Sequence, residues 1–479
     1  MRKVPAITAD LTPADRRAHL NRAARLRQLS EADRDAIRLV QDPKFSRWLD
    51  QVRATGGCAH PIHLSGSTTT WAPATGEILH HYDTRDEPGE RLLIRCRNRR
   101  ASVCPPCSRL HAGDTFHLVR AGLIGGKNVP PTVRNRPRLF ITLTAPSFGP
   151  VHRAGDRCRP RRDGGTCEHG RPLGCGAAHE ETAILVGQPL CPDCYDYVAH
   201  VLWHAHAGKL WDRFTRGVRR HLATAVGLTQ SRFPDHARLS FARVAEYQKR
   251  AAVHIHAVVR LDGPAGPADE PPPWATTDLL TDAVHASARR VLIHTPYSPA
   301  VGQLALRWGT QLDARPLHSD GTGPDDDAVA AYIAKYVTKG ADETGAGIDH
   351  RALTRTDVET AAVNAHAHAL MRTCWHLGAL QEYEPLHLRA WAHTLGYRGH
   401  ILTKSHAYST TYAALRAGRA QLAQQGDVTG VAHAQWGYIG SGHSPGAMLF
   451  AAGIAEELTL NLHVVRHDSH YVQGIVWPR

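Results

Sequence analysis

Two short runs of this chain hold residue types whose spacing suits chemistry. The first is Val253-His254-Ile255-His256-Ala257-Val258-Val259, rich enough in β-branched residues to read as a strand. Side chains at i and i+2 of a strand share a face, so His254 and His256 present two imidazoles side by side, a platform for a divalent metal. The runs 239–246 and 252–261 read as a β-hairpin around Tyr247-Gln-Lys-Arg250, which brings Glu246 across from the histidines as a third ligand. Two histidines on a strand are also a common form of half-buried polar residue, and the chain has 33 histidines, so the pair needs a second signal.

That signal is Tyr332-Ile-Ala-Lys335-Tyr336-Val-Thr-Lys339, one YxxK unit written twice. Residues four apart on a helix share a face, so both phenols project into the same space, with Lys335 and Lys339 close by. Tyrosine and lysine are ordinary on amphipathic helices, but the whole chain holds only eight lysines and two fall in this octet. A phenol, with a pKa of about 10, attacks poorly at neutral pH and needs a polarised electrophile or a stabilised phenolate. A metal on a phosphate oxygen supplies the first and an ammonium the second. Together the two runs imply tyrosine attack on a phosphodiester.

The ten cysteines point to metal rather than disulfides, because the chain reads as cytoplasmic. Cys96, Cys104 and Cys107 form a C-x7-C-x2-C set that Cys58 completes, or His60 or His63 in its place. The stretch 150–196 offers Cys158, Cys167, His169, Cys175, His179, Cys191 and Cys194, more than one tetrahedron needs. Cys167, Cys175, Cys191 and Cys194 are the set chosen from it, giving one or two structural Zn²⁺ ions with no open coordination position. A redox CxxC is the rival reading; the extra upstream cysteines and the lack of a thioredoxin-like context favour zinc. Cys374 stands alone beside Trp375 and reads as core.

At 479 residues the chain exceeds one core and is expected to form two or three domains. With 42% apolar and 21% charged residues it is not a largely disordered chain. No run approaches the ~18 apolar residues of a membrane span, and the opening MRKVPAITADLTPADRRAHL lacks the apolar stretch of a leader. The net charge of +13 comes mostly from arginine, which a high-GC coding sequence also favours. The positive residues nevertheless cluster: Arg91, Arg95, Arg97, Arg99 and Arg100 around one knuckle, and Arg157, Arg159, Arg161 and Arg162 at the start of the insert. Residues 385–426 contain no Asp or Glu, while arginines alternate there with Trp391, Tyr397, Tyr408 and Tyr412, a composition suited to phosphate neutralisation and base stacking. Arg97, Arg99, Arg100, Arg398 and Lys404 are the candidates for DNA contact.

These residues require an α+β scaffold. The patterning predicts an amphipathic helix over 10–55, a strand-like piece at 92–94, a strand at 138–145 ended by Pro146, and a long helix over 196–225. After the hairpin come a Pro/Gly linker at 262–273, a helix at 276–293, a strand at 306–317 and a helix at 325–339 opened by three aspartates. The remainder reads as mainly helical. Four segments result: 1–110 with the first knuckle, 111–345 with the metal hairpin and tyrosine helix, a basic helical region at 346–430, and a tail at 431–479. No GxxxxGK[ST] is present, since Gly125-Gly126-Lys127-Asn128 fails at both ends, so a helicase must come from elsewhere.

HIHAVV with its upstream Glu246, and YIAKYVTK downstream, resemble the second and third motifs of the HUH endonucleases, in the order used by rolling-circle replication initiators. Phe140-Ile-Thr-Leu-Thr144 resembles their first motif, and the doubled YxxK is similar to that of the gene A proteins of small single-stranded-DNA phages. CPPC, PLCPDCYDY, WAHTLGYRGH and TKSHAYSTT resemble segments of replication initiators from actinobacterial plasmids and integrative conjugative elements. The resemblance implies an HUH core, an antiparallel sheet with a metal-binding histidine hairpin and a flanking tyrosine helix. It implies Mg²⁺ or Mn²⁺ on His254, His256 and Glu246, and a tyrosine that nicks origin DNA, keeps the 5′ phosphate and leaves a 3′-OH primer. The second tyrosine would cut again at termination. A host helicase and DNA polymerase are the implied partners. A two-tyrosine HUH transposase and a non-catalytic zinc-dependent DNA-binding regulator are the alternatives.

Overall fold

Ser30 caps helix α1 (Glu31–Val40), its side chain accepting a hydrogen bond from the Asp33 N–H at 3.1 Å. Asp42-Pro43 interrupts the helical run, and α2 (Phe45–Ala54) starts beyond it, so the helix expected over 10–55 is broken there among the described residues. The computed structural model describes residues 28–161, 163–318, 325–339, 353–423 and 430–467, together with Thr12 and Arg17. Two units emerge, one of Met1–His111 with Gln424–Arg479, the other of Ala112–Ala423.

In the first unit α2 leads into β1 (Ile62–Trp71), β2 (Ile78–Asp83) and β3 (Leu92–Ile94). The C-terminal strand Val431–Ser441 pairs antiparallel along the length of β1, opposite β2. The C-terminal helix Pro445–His467 closes over α1 and α2: the Gly446 N–H donates to Asp35 at 2.8 Å, and Phe450 meets Phe45 at 5.3 Å between ring centroids. Residues 431–467 thus belong to the fold of the first unit, where the sequence suggested a separate tail.

Helix α3 (Pro105–Ile124) runs into the second unit, which continues with β4 (Arg138–Leu143), α4 (Tyr197–Ala225), β5 (Arg238–Tyr247), β6 (Val253–Asp262) and α5 (Thr277–Arg290). Short strands β7 (Ile293–His294) and β8 (Ala305–Leu306) precede β9 (Leu312–Pro316). Then come α6 (Asp326–Val337), α7 (Arg355–Glu359), α8 (Ala365–Leu377), β10 (Leu402–Lys404) and α9 (Tyr412–Ala423). The strand expected at 306–317 is broken at Gly309, where a Cβ would lie 2.6 Å from the Ala145 carbonyl. The region expected to be mainly helical supplies an edge strand, β10, whose Leu402 pairs with Val244.

The five-stranded sheet has the order β10-β5-β6-β4-β9, each pair antiparallel. Period-two alternation sorts its side chains. Leu139, Ile141, Ile255, Ala257 and Val259 pack against Leu210 and Phe214 of α4 and Val284 of α5. Phe140, Ala242, Val244 and Val258 turn the other way, onto Val119 of α3 and Val329, Ile333 and Val337 of α6. Each large side chain so buried contributes roughly 1.5–3 kcal/mol. A third cluster joins Val201 and Leu202 of α4 to Leu370, Met371 and Cys374 of α8, where Cys374 is the core residue its isolation suggested.

Two polar networks hold these layers together. Arg138, fully buried, donates to Asp326 at the start of α6 and to the Leu123 carbonyl of α3, both at 2.8 Å. Arg260 grips Asp262 with two bonds of 2.7 and 2.9 Å, and Arg136 reaches the same carboxylate at 2.6 Å. On the other face, the Val253 N–H donates to His204 Nε2 at 3.0 Å, so the His204 Nδ1–H donates to the Leu395 carbonyl at 2.8 Å. His366 is bonded to the Arg250 carbonyl at 3.0 Å.

Asp262 neutralises two buried guanidiniums, so Asp262→Asn is expected to cost about 3–5 kcal/mol, read from urea unfolding. Burial holds His204 and His366 neutral down to about pH 4, whereas an unfolded imidazole takes a proton near 6.5. The unfolded chain therefore binds more protons in that window, and stability falls as the pH drops from about 6.5 to 4, by at most on the order of 3 kcal/mol per histidine. Urea unfolding across that range will show it, and the double variant His204→Gln/His366→Gln should flatten the slope by their share, the fully buried His200 keeping part of it.

Candidate active site and metal centres

Cross-strand register assembles the first site. Glu246 lies directly opposite His254, Val244 opposite His256, and Thr142 of β4 opposite His256 on its other side. Glu246, His254 and His256 therefore share the face that carries α6. Glu246 Oε2 lies 2.8 Å from His254 Nε2 and 3.0 Å from His256 Nε2, and the two nitrogens are 3.1 Å apart. His256 Nδ1 sits 2.9 Å from the Thr142 hydroxyl and donates to it in the tautomer that aims the Nε2 lone pair inward. Two imidazole lone pairs and a carboxylate then converge on one point, which suits a divalent cation and leaves other coordination positions open. Burial alone would raise the Glu246 carboxyl, but the two imidazoles against it, whenever either carries a proton, hold it down at about 2 in the metal-free site. Burial keeps the His256 imidazole below its ordinary range, in the unprotonated form that binds metal.

Helix α6 brings the tyrosines to this point. Asp325 caps it by accepting from the Ala328 N–H at 3.1 Å, and Asp326 and Asp327 occupy its positive end, tied to Arg138 and, at 2.6 Å, to Arg120. With Val329, Ile333 and Val337 buried on the sheet, the Tyr332 hydroxyl reaches 3.2 Å from His256 Nε2. The Tyr336 ring lies 4.6 Å from that of Tyr332 and 5.8 Å from His256. Lys335 and Lys339 place their ammonium groups 5.6 and 5.3 Å from the centre of the Tyr336 ring. Burial raises both phenols and the Glu246 charge adds to it, while Lys339 pulls Tyr336 back. The structure thus brings together all seven residues named for this chemistry.

Three further centres gather the cysteines. Cys58, Cys96, Cys104 and Cys107 converge in the first unit, with sulfur separations of 3.6 Å for Cys58–Cys107 and 3.8 Å for Cys58–Cys104. A tetrahedral zinc with bonds of about 2.3 Å sets its sulfurs about 3.8 Å apart, so the cluster fits that ion. The Cys96 N–H and Ala59 N–H point at Cys58 and Cys104 sulfur, as around a thiolate.

In the insert the grouping differs from the set chosen from the sequence. Cys167, Cys191 and Cys194 join His169, while Cys175 stands with His152, Cys158 and His179. Tetrahedral closure needs four donors per centre: His169 takes the fourth place in the first group, and Cys175 completes the second beside Cys158 and two histidines. His152 had not been singled out; its place two residues beyond Pro150, at the start of a Cys/His-rich run, was the available signal.

The basic candidates part company. Arg97 is exposed, and Arg99 and Arg398 are half-buried. Arg100 is only 8% exposed. Lys404 donates to the carbonyls of Ser405, His406 and Ser409 at 3.3, 3.2 and 2.9 Å, so its ammonium holds a turn rather than facing solvent.

No helix among the described residues is long and apolar enough to cross a membrane. No solved structure matches the chain. A family model described as replication initiator protein, pSAM2, matches residues 44–456. A replication initiator protein of Streptomyces ambofaciens is 46% identical over 449 residues, covering 90% of this chain and 94% of that protein. All four candidate metal centres and both tyrosines fall within the matched span, and the chain belongs to the family of pSAM2-type replication initiator proteins.

Proposed function

We propose that this initiator binds the origin DNA of a plasmid or integrative conjugative element and nicks one strand through a tyrosine, as an HUH-type endonuclease. The observation that carries the reading is the 3.2 Å approach of the Tyr332 hydroxyl to a ligand atom of an open three-donor metal site. Mg²⁺ or Mn²⁺ held by Glu246, His254 and His256 would supply Lewis-acid polarisation of the scissile phosphate. The attacking phenol surrenders its proton to solvent as the tyrosine O–P bond forms. The P–O3′ bond breaks, and the departing oxygen takes up a proton to become the 3′-OH primer. The 5′ phosphate stays on tyrosine, so bond energy is kept for a later joining step. Tyr336, edge-on to Tyr332 and flanked by two ammonium groups, supplies the second cut that ends a round of rolling-circle synthesis. Duplex opening and extension fall to a host helicase and polymerase. The four-donor centres have closed shells and serve structure. The likeness to replication initiators favours this reading over transposition.

Supercoiled origin plasmid with Mn²⁺ should yield nicked circles carrying covalently bound protein. Tyr332→Phe/Tyr336→Phe should cut adduct formation by at least about a thousandfold; an adduct that survives it refutes the mechanism. Thr142→Val removes the hydroxyl that orients His256 and should raise the Mn²⁺ concentration for half-maximal nicking about 10–100-fold, with the rate at saturating metal largely kept.

A further inference from the structure

The eight metal-binding residues of the insert alternate along the chain. His152 and Cys158 belong to one centre, Cys167 and His169 to the other, Cys175 and His179 to the first again, and Cys191 and Cys194 to the second. The ligand pairs of the two centres interleave along the chain, so each loop that closes on one centre carries ligands of the other and the two cross-brace one another. The first centre also borders a groove of about 440 Å³ between the insert, the loop after β4, the β5–β6 turn and the residues before β9.

Three cationic side chains, Arg153, Arg159 and Lys249, line this groove, together with Ser147 and Gln311 and with no carboxylate, while Arg250 forms part of its wall with its guanidinium tied to Gln248 and to the Ala145 and Pro146 carbonyls. The metal centre sets the insert's share of that charge. His152 is both ligand and groove wall, the Arg153 N–H donates to Cys158 sulfur at 3.1 Å, and the backbone of Arg159 is bonded both ways to Cys175 at 2.6 and 2.8 Å. The insert meets the turn as closely as backbone permits: at Gly187, with φ of +91°, a Cβ would stand 2.1 Å from the Lys249 carbonyl. The groove also borders the Glu246–His254–His256 metal site, because its lining residue Gln248 lies 3.4 Å from His254 Nδ1.

We infer that the insert is a cross-braced two-zinc module whose first centre shapes this groove to hold the sugar-phosphate backbone of single-stranded DNA beside the metal hairpin. The inference rests on the nicking reading for its purpose, since a strand held there continues toward the scissile phosphate. Charge complementarity selects the ligand: a cationic channel without carboxylates suits a polyanion and is insensitive to base sequence.

The test uses the full zinc-loaded chain and a fluorescently labelled oligothymidylate, with affinity read by anisotropy across a salt series and metal content by mass spectrometry. Arg153→Ala/Lys249→Ala, both exposed positions, should keep full metal content, weaken binding about tenfold and flatten the log–log salt slope by about 1.4. His179→Ala, outside the groove, should lose both insert zinc ions together and weaken binding to a similar degree. Unchanged affinity in the Arg153/Lys249 variant overturns the proposal. So does an equal loss in Arg213→Ala/Arg290→Ala, which line a basic cavity between α4 and α5. A wild-type chain that forms no DNA adduct yet loses oligothymidylate binding in the groove variant supports the groove and refutes the nicking reading instead.

Discussion

The pairing of Glu246 with His254 across the β5–β6 hairpin is the constraint on which the second unit turns. Because strand side chains alternate, a slip of one residue would send His254 and His256 into the apolar layer under α4 and bring Ile255 to the open face. The turn is held against that slip from both ends. Gln248 and Ala252 bond across it, Ala251 adopts φ of +61°, and His204 fixes the Val253 N–H from behind. Once the register is set, the metal ligands, the apolar seat for α6 and the place of Tyr332 all follow from period two and period 3.6.

The same face buries arginine where an ordinary core would bury leucine. Arg138 and Arg260 lie beneath α3 and α6, their charge met by Asp326 and Asp262. The guanidinium fork suits this role because it spans two acceptors at once, as Arg260 does on Asp262, where a lysine would meet one. Removing either carboxylate leaves a buried cation, so the network ties the helix that carries the tyrosines to the strands that carry the metal ligands. The candidate metal centres differ in a complementary way: four donors would close a shell and brace a loop, whereas three would leave coordination positions open.

The hairpin, the tyrosine helix and the four-cysteine cluster were legible because each is a local pattern: alternation, i to i+4 spacing, and knuckles bounded by CxxC. The partition of the insert was not, since choosing which four of many donors share an ion depends on how the loop crosses itself. Lys404 reads as a DNA contact by composition, and only the course of residues 405–409 shows its ammonium enclosed by carbonyls. The first sheet was harder still. Ile62–Trp71 is rich in Ser, Thr and Gly, half-exposed throughout, and its long partner lies at the far end of the sequence, where no window can see it.

That distant pairing has a consequence for how the molecule is made. Strand β1 leaves the ribosome early, but Trp436, whose indole N–H bonds the Thr68 hydroxyl, is 368 residues further on. The N-terminal segment with its four cysteines must therefore wait, its long-range sheet unfinished, while the whole of residues 112–423 is synthesised and can fold. Assembly runs from the middle outward. A translation product broken off before residue 431 would lack the strand that pairs along β1 and leave the first sheet unclosed.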